Sequence, residues 1–368
     1  MGFFNLNAGN SRVFGLDLLR FFAIMFVVIG HSMIIFPPQY KLPIQGLILD
    51  GVAIFFVLSG FLIGGILIKM LEKNRPSLKL LLNFWNRRWL RTLPMYLVIL
   101  IFLIAYTSLV KPERLPTDFY KYFFFLQNFN TPPPSFFGES WSLSIEEWFY
   151  LITPILLFGA ILLFKMRVKT AFVWVISVVL IGVMVYRFFV FDAIEAVSRR
   201  DSHYILMQVT TRLDAIMYGV LGAFLAYYYP QFWQRMSRLL LVLIGLALLY
   251  VMKVQLGVKY VVWTPALKSL AVLIMLPYMS NWKKWNSPLS GVVTFISLIS
   301  YSMYLVNLNV VIFFLIKYVL NGNATGKHVI ESDWPLEYIF YWFATISLSF
   351  LFYKFVEIPF MNLRKKEH

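Results

Sequence analysis

Gly51-Val52-Ala53-Ile54-Phe55-Phe56-Val57-Leu58-Ser59-Gly60-Phe61-Leu62-Ile63-Gly64-Gly65-Ile66-Leu67-Ile68-Lys69-Met70 is a run of twenty residues whose one charge, Lys69, lies next to its end. A helix needs about 20 mostly apolar residues to cross a hydrocarbon core about 30 Å thick, and this run meets that requirement. Comparable runs fall near residues 14–36, 93–110, 141–164, 170–190, 204–228, 239–254, 261–279, 292–320 and 336–356. The expected fold class is therefore all-α, a polytopic integral membrane protein with about ten transmembrane helices. The run at 239–254 is short enough to tilt or pack internally, and the aromatic stretch 119–129 has the composition to dip into the bilayer.

Composition agrees with this reading. The 368 residues are 60% hydrophobic, 19% aromatic and 14% charged, which leaves too few polar positions to coat a water-soluble globule of this size. The net charge of +16 would suggest nucleic acid in a soluble protein, but here the basic residues sit in short segments between apolar runs, so no nucleic-acid partner is expected. With no cysteine, disulfides, enzyme thioesters and thiolate metal sites are excluded. The four histidines, His31, His203, His328 and His368, are scattered, and no metal site is expected. The first run contains Asp17 and Arg20 and is followed by no small-residue cleavage pattern, so it reads as a membrane helix rather than a removable leader.

Basic residues are unevenly distributed. With the N-terminus placed inside, eighteen Lys and Arg fall in inner segments and ten in outer ones, which predicts both termini in the cytoplasm. No linker rich in Pro, Gly or Ser divides the chain, so residues 1–368 read as one membrane-embedded domain with no appended extracytoplasmic domain.

Ionisable groups within membrane helices cost a few kcal/mol and are functional candidates by default. Arg20 and His31 are eleven positions apart, which returns them to within about 20° on a helix and separates them by about 16 Å along its axis. Asp17 lies on the same side and can neutralise Arg20; the alternative is an Arg snorkelling to the inner interface and a His bonded at the outer end. Gly60 and Gly64 form a small-xxx-small pair that permits close helix packing, and Ser59 beside them has no histidine neighbour in sequence to activate it. Arg88 and Arg91, three apart, place two guanidiniums on neighbouring faces of a helical turn, fit either for phosphate or for an ordinary basic boundary. In Ser140-Trp141-Ser142-Leu143-Ser144-Ile145-Glu146-Glu147-Trp148-Phe149-Tyr150, Ser144 and Glu147 fit a capping box, which leaves Glu146 near a helix start at a depth comparable with His31. A carboxylate beside a histidine is a recurrent acid/base arrangement. Arg212 and Asp214 read as a buried structural pair, and Glu357-Ile358-Pro359 as a helix terminus.

In this order the motifs resemble those of the acyltransferase 3 family of bacterial membrane O-acyltransferases, over essentially the whole chain. Arg20 and His31 are similar to its Arg-x10-His pattern, Phe55, Phe56, Ser59, Gly60 and Phe61 to its FFxxSGF motif, and Arg88 and Arg91 to its RxxR motif. Trp141, Ser142, Leu143, Glu146, Phe149 and Tyr150 resemble its WSLxxExxFY segment. The resemblance implies a bacterial inner-membrane enzyme with no permanently bound cofactor. It implies transfer of an acyl group, commonly acetyl from acetyl-CoA, to a hydroxyl of an envelope carbohydrate or lipid-linked glycan. It also implies roles: Arg88 and Arg91 on CoA phosphates with Ser59 nearby, an arm passing Arg20, His31 as base and Glu146 orienting it. Asp17, Tyr150 and Arg212 would support them, and an acyl-enzyme on His31 or Ser59 is compatible with the pattern. Asn307 replaces a histidine found in many relatives after the Tyr301-x-x-Tyr304-Leu305 pattern, so no proton transfer is assigned there. Without a fused SGNH-type domain, acyl transfer finishes within the membrane domain or passes to a separate periplasmic partner. A secondary transporter or glycan exporter, with Arg, His and Glu lining a path, is the alternative.

Overall fold

The computed structural model describes residues 12–132, 135–192, 205–255, 262–320 and 334–363. His203, His328 and His368, and the basic residues at 199, 200, 259, 327 and 364–366 used in the charge count, lie outside them. In chain order the helices are α1 (Phe14–Ser32), α2 (Pro38–Leu47), α3 (Gly51–Lys73), α4 (Leu78–Val110), α5 (Ser140–Leu162), α6 (Val168–Asp192) and α7 (Leu213–Tyr228). They continue with α8 (Pro230–Arg235), α9 (Leu239–Gln255), α10 (Thr264–Asn281), α11 (Leu289–Val306), α12 (Trp334–Phe352) and α13 (Ile358–Leu363). A π-helix, Asn307–Leu320, extends α11, and a π-turn, Tyr353–Glu357, joins α12 to α13. No strand occurs among the described residues. Among the described residues, seven helical runs are long and apolar enough to cross a membrane, and α7 and α9 are shorter apolar helices. With α10, each of the ten expected runs coincides with a helix, and the chain is an all-α polytopic membrane protein. Large apolar side chains such as Leu109, Leu163 and Phe343 are 85%, 78% and 69% exposed, a surface suited to lipid.

Several boundaries differ from expectation, each for a local reason. The basic segment at 83–94, expected to precede the membrane run at 93–110, is continuous with it in the first half of α4, whose N-cap Ser77 accepts from Leu80 N–H at 3.3 Å. Its 33 residues span about 50 Å. The expected capping box is not formed, because α5 begins at Ser140 with Glu139 at its N-cap, and Glu147 instead accepts from Thr92 Oγ1 at 2.7 Å. At the C-terminal end, the π-turn carries the helix through to Pro359 and beyond. Glu357 is therefore no exposed terminus but a buried carboxylate that accepts from Ser302 Oγ at 2.5 Å.

The connection between α4 and α5 turns back among the helices. Tyr96 Oη donates to the Tyr122 carbonyl at 2.9 Å, and its ring packs on Phe125 and Phe137 at 4.7 and 5.6 Å. Tyr96 lies fourteen residues before the end of α4, so the connection descends about 20 Å from that end. Val209 N–H and Thr210 N–H donate to the Asn128 and Phe129 carbonyls at 3.0 and 3.1 Å, which meets the backbone needs of both segments inside the bundle. The expected dip of the aromatic stretch thus takes a definite form, and it starts α5 deep in the protein.

Among the described residues, three apolar clusters make up the interior. One centres on α1, α4, α11 and α12, one on α3, α5, α6 and α7, and one on α1, α3, α9 and α10. Val52 packs against the first two and Phe55 against the first and third, so this stretch of α3 runs where they meet. A Cβ at Gly60 would be driven into the Ile216 carbonyl, and one at Gly219 into the Val57 carbonyl. Side-chain-free backbone at these two points lets α3 and α7 touch directly.

Candidate functional site

A cavity of about 110 Å³ lies at this junction, lined by Arg20 of α1, Ser59 of α3, Arg88 and Arg91 of α4, and Glu146 and Tyr150 of α5. The volume is that of about four waters. Six residues nominated from separate parts of the sequence share one chamber. Its lining carries three guanidiniums against one carboxylate, with Arg20 also paired to Asp17 just outside the lining.

The positions of the charges follow from the packing. Asp17 accepts from Arg20 at 3.1 Å and also from Arg12 at 2.5 and 2.8 Å, and Ser297 of α11 bonds both Asp17 and Arg20. Asp17 therefore anchors two arginines, the expected Arg20 and an additional one. The Arg88 guanidinium lies over the Tyr150 ring, 5.6 Å from its centroid. Tyr150 Oη donates to Glu146 Oε2 at 3.1 Å and shares a hydrogen bond with Ser59 Oγ. A hydrogen-bonded chain thus runs from Ser59 through Tyr150 to Glu146, with Ser59 half-buried at the cavity and Tyr150 3% exposed.

His31 stands elsewhere. Its Nδ1 is 2.6 Å from Asn307 Oδ1, and the Asn307 amide donates through Nδ2 to the Met303 and Tyr304 carbonyls at 2.7 and 2.8 Å. With both amide protons committed to carbonyls, Oδ1 faces the imidazole as an acceptor. Nδ1 then carries the ring proton and Nε2 presents a lone pair. The expected pairing of His31 with Glu146 is not formed. The re-entrant connection lowers α5 so that Glu146 sits among the arginines, and the residue at the depth of His31 is the N-cap, Glu139. Glu139 is 2% exposed and accepts from Asn309 N–H at 3.2 Å and from Asn309 Nδ2. Along α11, Ser297 touches Arg20 and Asn307 touches His31, ten residues or about 15 Å apart. Tyr304 lies between, lining the cavity with its hydroxyl tied to Ser142 Oγ at 2.7 Å and to the Glu139 carbonyl at 2.9 Å.

Arg212 also departs from expectation. Asp214 pairs with Arg187, at 2.5 and 3.2 Å, rather than with Arg212. The Arg212 guanidinium lies over the Phe56 ring at 5.8 Å. Arg212 is the N-cap residue of α7 and Asp214 lies in its first turn, and positions two apart do not face each other on a helix. Asn307, Glu139, Thr92 and Tyr304 escaped the sequence reading as site components. The available signal was polar, uncharged or acidic side chains inside apolar helices, which seek partners across helix interfaces.

Fold and site together define a class: a polytopic all-α membrane protein with a basic, hydroxyl-bearing chamber between its helices. The chain belongs to the acyltransferase 3 family, whose model, described as an acyltransferase domain, matches residues 13–354. Across 94% of its length it is 27% identical to "Putative O-acetyltransferase" of Staphylococcus aureus (strain COL), and it spans 57% of that relative. It is also 30% identical to "O-acetyltransferase OatA" of Staphylococcus aureus (strain NCTC 8325 / PS 47), over 59% of this chain and 35% of the relative. No solved structure matches the chain.

Proposed function

We propose that this protein is an O-acyltransferase that moves an acyl group, acetyl in the simplest case, from acyl-CoA to a hydroxyl of an envelope or surface carbohydrate. The observation that carries this reading is the chamber in which Arg20, Arg88 and Arg91 surround Ser59, Tyr150 and Glu146. Guanidiniums match phosphate oxygens in charge and in bidentate geometry, and CoA carries such phosphates at one end of a long pantetheine arm that ends in the reactive thioester. Arg88 and Arg91 hold the donor phosphates, and Arg20 completes the basic wall. His31 is the base that takes the acceptor proton, because Asn307 holds its Nδ1–H and leaves Nε2 free to accept. Two relatives named as O-acetyltransferases support oxygen as the acyl acceptor.

The proposal extends to location. The protein lies in a bacterial inner membrane with both termini cytoplasmic, so that the arginines face the donor and His31 faces displayed glycans, lipid-linked acceptors or a separate periplasmic partner. Residues 1–368 act as one membrane domain, with acyl-CoA as co-substrate and no resident cofactor. Purified protein in lipid nanodiscs, given acetyl-CoA labelled in the acetyl group and an envelope glycan extract, is expected to transfer label to glycan hydroxyls. Label that stays on CoA with every glycan fraction would overturn the assignment. A reporter fused after His368 that is active only in the periplasm would reverse the orientation.

A further inference from the structure

We infer that Ser59 is a covalent way-station, forming an acyl-serine ester between the donor and acceptor steps. This rests on the acyltransferase reading above and adds a nucleophile to it. Ser59 Oγ is half-buried at the chamber wall and hydrogen-bonded to Tyr150 Oη, which in turn donates to Glu146 Oε2. A serine linked through a hydroxyl to a carboxylate has a route for its proton, which is what a serine nucleophile requires. Tyr150 also lines the chamber but is 3% exposed with Arg88 on its ring face, so of the two hydroxyls Ser59 is the more open to a ligand. Its backbone is rigid, because the adjacent Gly60 lies against the Ile216 carbonyl.

Geometry supplies the reason for an intermediate. His31 lies beyond Tyr304, whose hydroxyl is held by Ser142 and by the Glu139 carbonyl. An acyl group held on Ser59 lets CoA leave the chamber before the acceptor enters it from the His31 side past Tyr304, so the two half-reactions occur in turn. In the first, Ser59 Oγ attacks the thioester carbonyl. Its proton passes to Tyr150 as the Tyr150 proton passes to Glu146, the C–S bond breaks, and CoA departs as a thiolate to be protonated in water. In the second, the acceptor oxygen attacks the ester and its proton goes to His31 and then to water. The C–Oγ bond breaks, and Ser59 recovers a proton through Tyr150 from Glu146. Atoms and protons balance with acyl-CoA, acceptor and water alone.

The test uses the whole protein in nanodiscs with acetyl-labelled acetyl-CoA and no acceptor, followed by peptide mass spectrometry. His31→Gln blocks only the second half-reaction, so it is expected to accumulate stoichiometric acetyl on the peptide bearing Ser59. Ser59→Ala is expected to carry none while still binding CoA, and Ser59→Cys to carry a hydroxylamine-labile acetyl. Steady-state kinetics of the wild type should be ping-pong. Wild-type transfer to glycan without protein-bound acetyl, or with acetyl on Tyr150 or His31, would overturn the acyl-serine and leave the acyltransferase reading standing. No use of acetyl-CoA by the wild type would remove both.

Discussion

The arginine-lined chamber and the His31 end are built in opposite ways. The chamber draws charged and hydroxyl side chains from α1, α3, α4 and α5, with Arg20 braced by Asp17 and Ser297 and Arg88 resting on Tyr150. Its attraction for an anion is a sum over several charges, so each contributes a share. His31 depends on one amide, Asn307, which is itself held by two backbone carbonyls. There the quantity that matters is the direction of a single lone pair. On the proposed function the first region would bind by accumulation and the second would act by orientation, and substitutions should distinguish them.

The largest effect is expected at His31. Gln keeps a hydrogen-bonding side chain but cannot take the acceptor proton, so His31→Gln should lower acceptor acylation about a hundredfold to ten-thousandfold at saturating acyl-CoA. Near-normal turnover would move the proton transfer elsewhere and erase the contrast. In the chamber, Arg88→Lys keeps the charge and loses the fork. Hydrogen bonds to charged groups contribute about 1.5–3 kcal/mol, so the donor KM should rise about tenfold to a hundredfold with kcat little changed. An unchanged donor KM in Arg88→Lys, Arg88→Ala and Arg91→Ala would return these residues to an interfacial role.

The chamber wall offers a test by stability rather than rate. Gly60→Ala forces a methyl group into the Ile216 carbonyl, whereas Gly65 has open space at its Cβ position. Overpacking costs about 1–3 kcal/mol, so Gly60→Ala should lower the melting temperature in detergent and Gly65→Ala should not. Equal melting curves would mean that α3 and α7 are free to separate. The smallest effect concerns Asn307. Removing one hydrogen bond costs about 0.5–1.5 kcal/mol, so Asn307→Leu should reduce kcat about threefold to tenfold and leave the donor KM unchanged. A rise in donor KM would place Asn307 in the donor site and blur the two regions.

The helices were legible because each one carries its own evidence. A run such as residues 51–70 must span about 30 Å of hydrocarbon and must satisfy its own backbone, so length and composition suffice wherever it lies in the bundle. The Asp17–Arg20 contact was readable for a similar reason, since three positions on one helix fix the separation without any partner element. The grouping of Arg88 and Arg91 was equally local.

Depth was not local, and there the sequence reading failed. Counting residues along α5 puts Glu146 about 9 Å beyond the helix start wherever that start lies, but the start is carried down by the connection packed on Tyr96. Only the assembled bundle decides that Glu146 joins Arg88 while Glu139 reaches the level of His31. The same holds for Asp214, which pairs with Arg187 from another helix rather than with Arg212 two positions away. Asn307 falls in the same class, because the α11 register that brings it to His31 is set by side chains 276 positions apart in the chain. Apolar length and same-helix spacing are properties of one segment and can be read from it. The partner of a buried charge depends on which helices meet, and that is settled by packing among segments far apart in sequence.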